Sequence, residues 1–115
     1  MSHDNLQHLI AELTACVEAF HERFGIVGPS TEEELLSRIP IQDEEVWELH
    51  HAILHESLDR VASEATDVLF VAIGTLLRLG PDLVADALNE VIRKNNAKTW
   101  HTHHINDAGK VSRRP

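Results

Sequence analysis

The chain has 115 residues, 43% hydrophobic and 25% charged, enough for one globular domain with a core and too few for two. Ten Lys and Arg stand against nineteen Asp and Glu, a formal net charge of -9, which excludes a surface built mainly to follow nucleic-acid phosphates. Val68 to Leu77, the most apolar run, lies between Asp67 and Arg78 and is far shorter than the roughly 18 residues needed to span a bilayer. Cys16 is the single cysteine, and Met1 to Asn5 lacks the basic-then-apolar pattern of a secretory signal, so a cytoplasmic protein without membrane or nucleic-acid partners is expected.

Leu6, Leu9, Ile10, Leu13, Val17, Phe20 and Phe24 recur at steps of three and four, which predicts a helix over 5–24 that Gly25 stops. Thr31, three residues before Glu34, has the spacing of a capping box and opens a short helix that Pro40 is expected to interrupt. Val46, Leu49 and Ile53 mark a second helix from Gln42 to about Glu56. Ala62 to Leu79 is apolar on nearly every side; its length favours a helix over a buried strand, and such a helix needs cover all round, which a dimer supplies. Gly80 and Pro81 separate it from a last helix with the stripe Leu83, Val84, Ala87, Leu88, Val91 and Ile92. No strand pattern is visible, and the polar, His-rich tail from Thr99 is expected to be irregular. The expected fold is therefore all-α, a four- to five-helix bundle over 1–98 with a tail over 99–115, completed as a homodimer or homotetramer.

Charge is unevenly spread. Gln42 to Asp67 holds eight acids and one base, Arg60, whereas Arg93 to Pro115 holds six of the ten basic residues and only one acid, Asp107. Clustered carboxylates suit Mg²⁺, a hard ion that prefers oxygen ligands and substrate phosphates, while the Lys94-Asn95-x-x-Lys98 cluster supplies donors for phosphate oxygens. At about 100° per residue, Glu45 and Glu48 share one helix face, and so do Glu64 and Asp67. Asp67, directly before the most apolar run, is expected to need a cation in compensation. A lone Glu-Glu-x-x-Glu is more often a solvated helix face; the second acidic pair within an apolar helix is what favours a metal-phosphate site. His51 and His55 lack a recognisable third ligand, and His101, His103 and His104 read as solvated tail residues.

Taken in order, Phe20-His21-Glu22-Arg23-Phe24-Gly25, the pair Glu45-x-x-Glu48, the stretch Glu64-Ala65-Thr66-Asp67 through Gly74, and Glu90 to Lys98 resemble the all-α nucleoside triphosphate pyrophosphohydrolases. This MazG-like superfamily also contains dimeric dUTPases and phosphoribosyl-ATP pyrophosphohydrolases. The resemblance covers about Val17 to Lys98. Asp107-Ala108-Gly109-Lys110 has one residue more than the D-G-K strap with which related proteins close over the nucleotide.

The resemblance implies Mg²⁺-dependent hydrolysis of a nucleoside triphosphate between the α and β phosphates, giving a nucleoside monophosphate and pyrophosphate in nucleotide-pool house-cleaning, with Mn²⁺ able to substitute. It makes Glu45, Glu48, Glu64 and Asp67 metal ligands, Glu44 the general base or water-orienting group, and Lys94, Asn95, Lys98 and Lys110 phosphate contacts. Trp47 and Phe70 are either base-stacking groups or core, the second being commoner at helical spacing. Three alternatives stand beside this reading: a phosphoribosyl-ATP pyrophosphohydrolase, a non-catalytic helical interaction module, and a transition-metal sensor or store using the nine His and the carboxylates.

Overall fold

The computed structural model describes residues 3–115; Met1 and Ser2, part of the segment read above for a secretory signal, lie outside the described residues. The order is α1 (His3–Arg23), α2 (Glu32–His55), α3 (Leu58–Leu79), α4 (Pro81–Asn96), β1 (His103–Ile105) and β2 (Val111–Arg113). The fold is all-α, with four helices and one short hairpin among the described residues. No helix among them is long and apolar enough to cross a membrane. The chain divides into two compact units, one ending at Gly80 and the other Pro81–Pro115.

In the first unit α3 packs against both α1 and α2, which explains why its sequence is apolar on nearly every side. α1 closes in a Schellman turn: Gly25, at φ 72°, donates to the Glu22 carbonyl at 3.1 Å, and the Ile26 N–H reaches the His21 carbonyl at 2.8 Å. Thr31 caps α2 by accepting from the Glu34 N–H at 3.1 Å. The reciprocal half of the capping box is absent, because the Glu34 carboxylate instead takes both forks of Arg78, at 2.7 and 2.8 Å.

Pro40 does not interrupt this segment. α2 runs unbroken through it for 24 residues. A proline removes one backbone donor but leaves the φ of a helix allowed, and here two tertiary anchors just ahead of it hold the helix in place. Glu34 grips Arg78, which is only 8% exposed, and Arg38 donates to Thr75 Oγ1 at 2.7 Å and to the Val71 carbonyl at 3.0 Å. Gly74 makes room for that approach: a Cβ there would stand 2.6 Å from Arg38 Nη2 and 3.2 Å from His21 Nε2. A two-residue turn, Glu56 and Ser57, then folds α3 back antiparallel to α2. Ser57 caps α3, accepting from the Arg60 N–H at 3.4 Å, so the helix begins one turn earlier than its apolar run suggests.

The second unit corrects the expectation of an irregular tail. β1 and β2 pair antiparallel, with His103 opposite Arg113, His104 opposite Ser112 and Ile105 opposite Val111. Asn106 builds the connecting turn: its Oδ1 accepts from the Ala108 and Lys110 N–H groups at 3.0 and 2.9 Å, and Gly109 supplies φ 80°. Arg114 locks the open end through Nε to the Trp100 carbonyl at 2.6 Å. His103 and His104 are half-buried in this hairpin, where simple solvated residues were expected.

Candidate metal centre and active site

The α2–α3 register sets the chemistry. Glu34 faces Arg78 and Arg38 faces Thr75, so each step up α2 is a step down α3. Carried on, this antiparallel register puts Glu48 opposite Glu64 and Glu45 opposite Asp67. One carboxylate oxygen each of Glu45, Glu48 and Glu64 then lies within 4.8 Å of the others. Glu45 and Glu48 are half-buried, and Glu64 is 5% exposed.

For Glu45 and Glu48 this crowded, partly dry setting opposes ionisation. Desolvation pushes the Glu45 carboxyl up from its ordinary value, and the charges of Glu48, Asp67, Glu44 and Glu64 push it further. Glu48 is raised for the same reasons, desolvation first, then the Glu64 charge and a hydrogen bond that the protonated Glu48 carboxyl shares with Glu64. Glu45 Oε2 and Glu64 Oε2 are buried without a hydrogen-bond partner. Buried acceptors left unpaired cost free energy, and an oxygen-only donor set of this kind fits a hard divalent cation.

Asp67 stands outside the tight group and is exposed. Its charge nevertheless acts on Glu45 and Glu48, so it lies at the rim of the cluster. The carboxylate that bears the burial is Glu64, three residues before the position expected to need compensation. Glu44 is exposed on the same turn of α2. Trp47 is 63% exposed and stacks on the His51 ring at 5.4 Å, whereas Phe70 is half-buried and meets Phe20 edge-on at 5.3 Å. His51 and His55 are exposed, and neither joins a ligand cluster among the described residues.

The basic candidates belong to the second unit. Lys94 and Lys110 are exposed. Asn95 ties down the end of α4, donating to the Val91 carbonyl at 2.8 Å and accepting from Lys98 Nζ at 2.9 Å. Lys98 also borders an apolar pocket of about 200 Å³ formed with Trp100, His103, His104, Ile105 and Val111. Burial, then the charges of Lys98, Arg113 and His104, holds His103 below the usual imidazole range.

One participant escaped the sequence reading. Arg60, the lone base of the acidic block, binds Glu64 directly and lies 3.6 Å from Glu56. Its isolation among eight acids was the visible signal.

The family model for phosphoribosyl-ATP pyrophosphohydrolases matches residues 17–96. The chain belongs to this family. The match takes in all four acids of the cluster and its rim, together with Lys94 and Asn95, and ends before Lys98 and the hairpin. The family places the chain among pyrophosphohydrolases, hydrolases of phosphoanhydride bonds that generally depend on a divalent metal. No curated protein matches the chain, and no solved structure does.

Proposed function

We propose that the protein hydrolyses a nucleoside 5′-triphosphate between its α and β phosphates in the presence of Mg²⁺, yielding a nucleoside monophosphate and pyrophosphate. The observation that carries this reading is the meeting of Glu45, Glu48 and Glu64 from two helices, with two buried oxygens that no protein donor satisfies. Glu45, Glu48 and Glu64 would hold the metal, with Asp67 completing the set from the rim; Mn²⁺ suits the same oxygens. A bound Mg²⁺ supplies charge neutralisation at the phosphate oxygens and acidifies water. Glu44, next to the ligands and itself exposed, is the group that orients or deprotonates the attacking water. Lys94, Asn95, Lys98 and Lys110 are the proposed contacts of the leaving pyrophosphate, their cationic and amide donors suiting its oxygens.

Phosphoribosyl-ATP is the second reading of the substrate, favoured by the family model itself. It carries the same triphosphate chain, so the same ligands and cleavage serve both. A panel of ribo- and deoxynucleoside triphosphates and phosphoribosyl-ATP, followed by pyrophosphate release, separates them. The substrate with the highest kcat/KM is expected among the nucleoside triphosphates; a preference for phosphoribosyl-ATP by orders of magnitude selects the second reading.

The partner proposed with this activity is a second copy of the chain. Among the described residues of the first unit only Val17, Ala52 and Val71 are buried apolar residues, and α4 buries none, so broad apolar stripes of α1 and α4 await cover. A cytoplasmic location accords with house-cleaning of a nucleotide pool.

A further inference from the structure

Arg60 is held at a place where a cation is otherwise unwelcome. It sits in the first turn of α3, three residues after the Ser57 cap, where the positive end of the helix dipole disfavours basic side chains. Its guanidinium lies on Glu64, a carboxylate 6% exposed at its side chain, and reaches Glu56 one turn earlier, while Arg60 itself is 54% exposed. It therefore neutralises the most deeply buried acid of the cluster from a largely solvent-exposed side chain, with Glu56 as a second carboxylate within reach. Glu64 Oε1 is thus engaged, whereas Glu64 Oε2 and Glu45 Oε2 are not. A guanidinium and a divalent cation drawn to one carboxylate repel each other strongly at such range.

We infer that Arg60 is a tethered counter-ion of the carboxylate cluster that competes with the divalent cation for Glu64. The inference rests on the metal reading proposed above and adds a regulator of metal affinity to it. Metal entry displaces the guanidinium towards Glu56 and solvent, so each cation bound costs the Arg60–Glu64 ion pair. Arg60 thereby raises the metal concentration at which the centre fills and keeps its acids partly neutralised below that concentration.

The test is a binding isotherm of the full chain for Mn²⁺ without nucleotide, with free Mn²⁺ read by electron paramagnetic resonance, for the wild type, Arg60→Ala and Arg60→Gln. Circular dichroism checks that each variant is folded. Both variants are expected to bind Mn²⁺ more tightly, on the order of five-fold, the lower end of ordinary coupling between two ligands. Equal affinity in all three proteins overturns the competition while leaving the metal centre intact. Weaker binding in the variants also overturns it, because Arg60 would then be a support that orients Glu64 for the metal. Absence of saturable binding in every protein overturns the metal reading, and this inference with it.

Discussion

Glu64 and its neighbours combine two costs, crowded negative charge and buried oxygens without donors, at one end of the α2–α3 pair. Replacing Glu48 by Gln keeps the volume and removes a charge. Glu48→Gln is therefore expected to lose metal-dependent turnover by at least about 100-fold while far-ultraviolet circular dichroism stays unchanged, and to melt higher than the wild type in chelator. The pH dependence follows from the raised Glu45 and Glu48 carboxyls. Between the ordinary value of 4.5 and their raised folded-state values, the folded protein binds more protons than the unfolded chain. These two groups therefore favour the fold at low pH, and their contribution falls as pH rises through that window. His21 acts in the opposite sense: burial, Arg38 and Arg78 lower it from 6.5, so it disfavours the fold as pH drops below that value. Thermal melts of wild type and Glu45→Gln in chelator, from pH 4.5 to 7.5, separate the two; the variant is expected to gain stability relative to wild type as pH rises. The spacing of the two acidic pairs made the cluster legible in the sequence. Which acid is buried was not, since that depends on the rotation of α3 against α2, fixed by Arg38 and Arg78 two and three turns away.

Among the helices, α2 shows how tertiary anchors outweigh a local rule. Pro40 leaves the Leu36 carbonyl without its helical donor, yet Glu34–Arg78 and Arg38–Thr75 pin the helix to α3 just ahead of the proline. Pro40→Ala restores the donor and is expected to stabilise the protein by about 1–3 kcal/mol, read from the urea midpoint, the gain being reduced by the looser unfolded chain. Gly74→Ala should do the reverse. Its helix propensity favours the change by about 1 kcal/mol, but the new methyl meets Arg38 and His21, and overpacking of about 1–3 kcal/mol decides the sign. A lower melting temperature is expected, where the same change at an exposed helical position would raise it. Four helices could be read from periodicity because each carries an apolar stripe over several turns. The hairpin could not: strands of three residues are too short to show alternation, and only the Asn106 to Gly109 turn chemistry hinted at them.

For the molecule entire, the exposed apolar stripes of α1 and α4 are the surfaces that the proposed second chain would cover. Sedimentation equilibrium at micromolar concentration is expected to give a dimer or tetramer, and a monodisperse monomer would contradict that proposal. Val71, buried at 8% exposure where α3 meets its neighbours, is the position where Asp should unfold the protein by several kcal/mol. Family membership makes the protein a pyrophosphohydrolase, and the meeting of Glu45, Glu48 and Glu64 locates the proposed centre of that chemistry. The decisive experiment measures the products released from nucleoside triphosphates and phosphoribosyl-ATP, with and without Mg²⁺, by the wild type and Glu48→Gln. Pyrophosphate released only with Mg²⁺ and only by the wild type is the expected result. Release of single phosphate, turnover in chelator, or full activity in Glu48→Gln would contradict it.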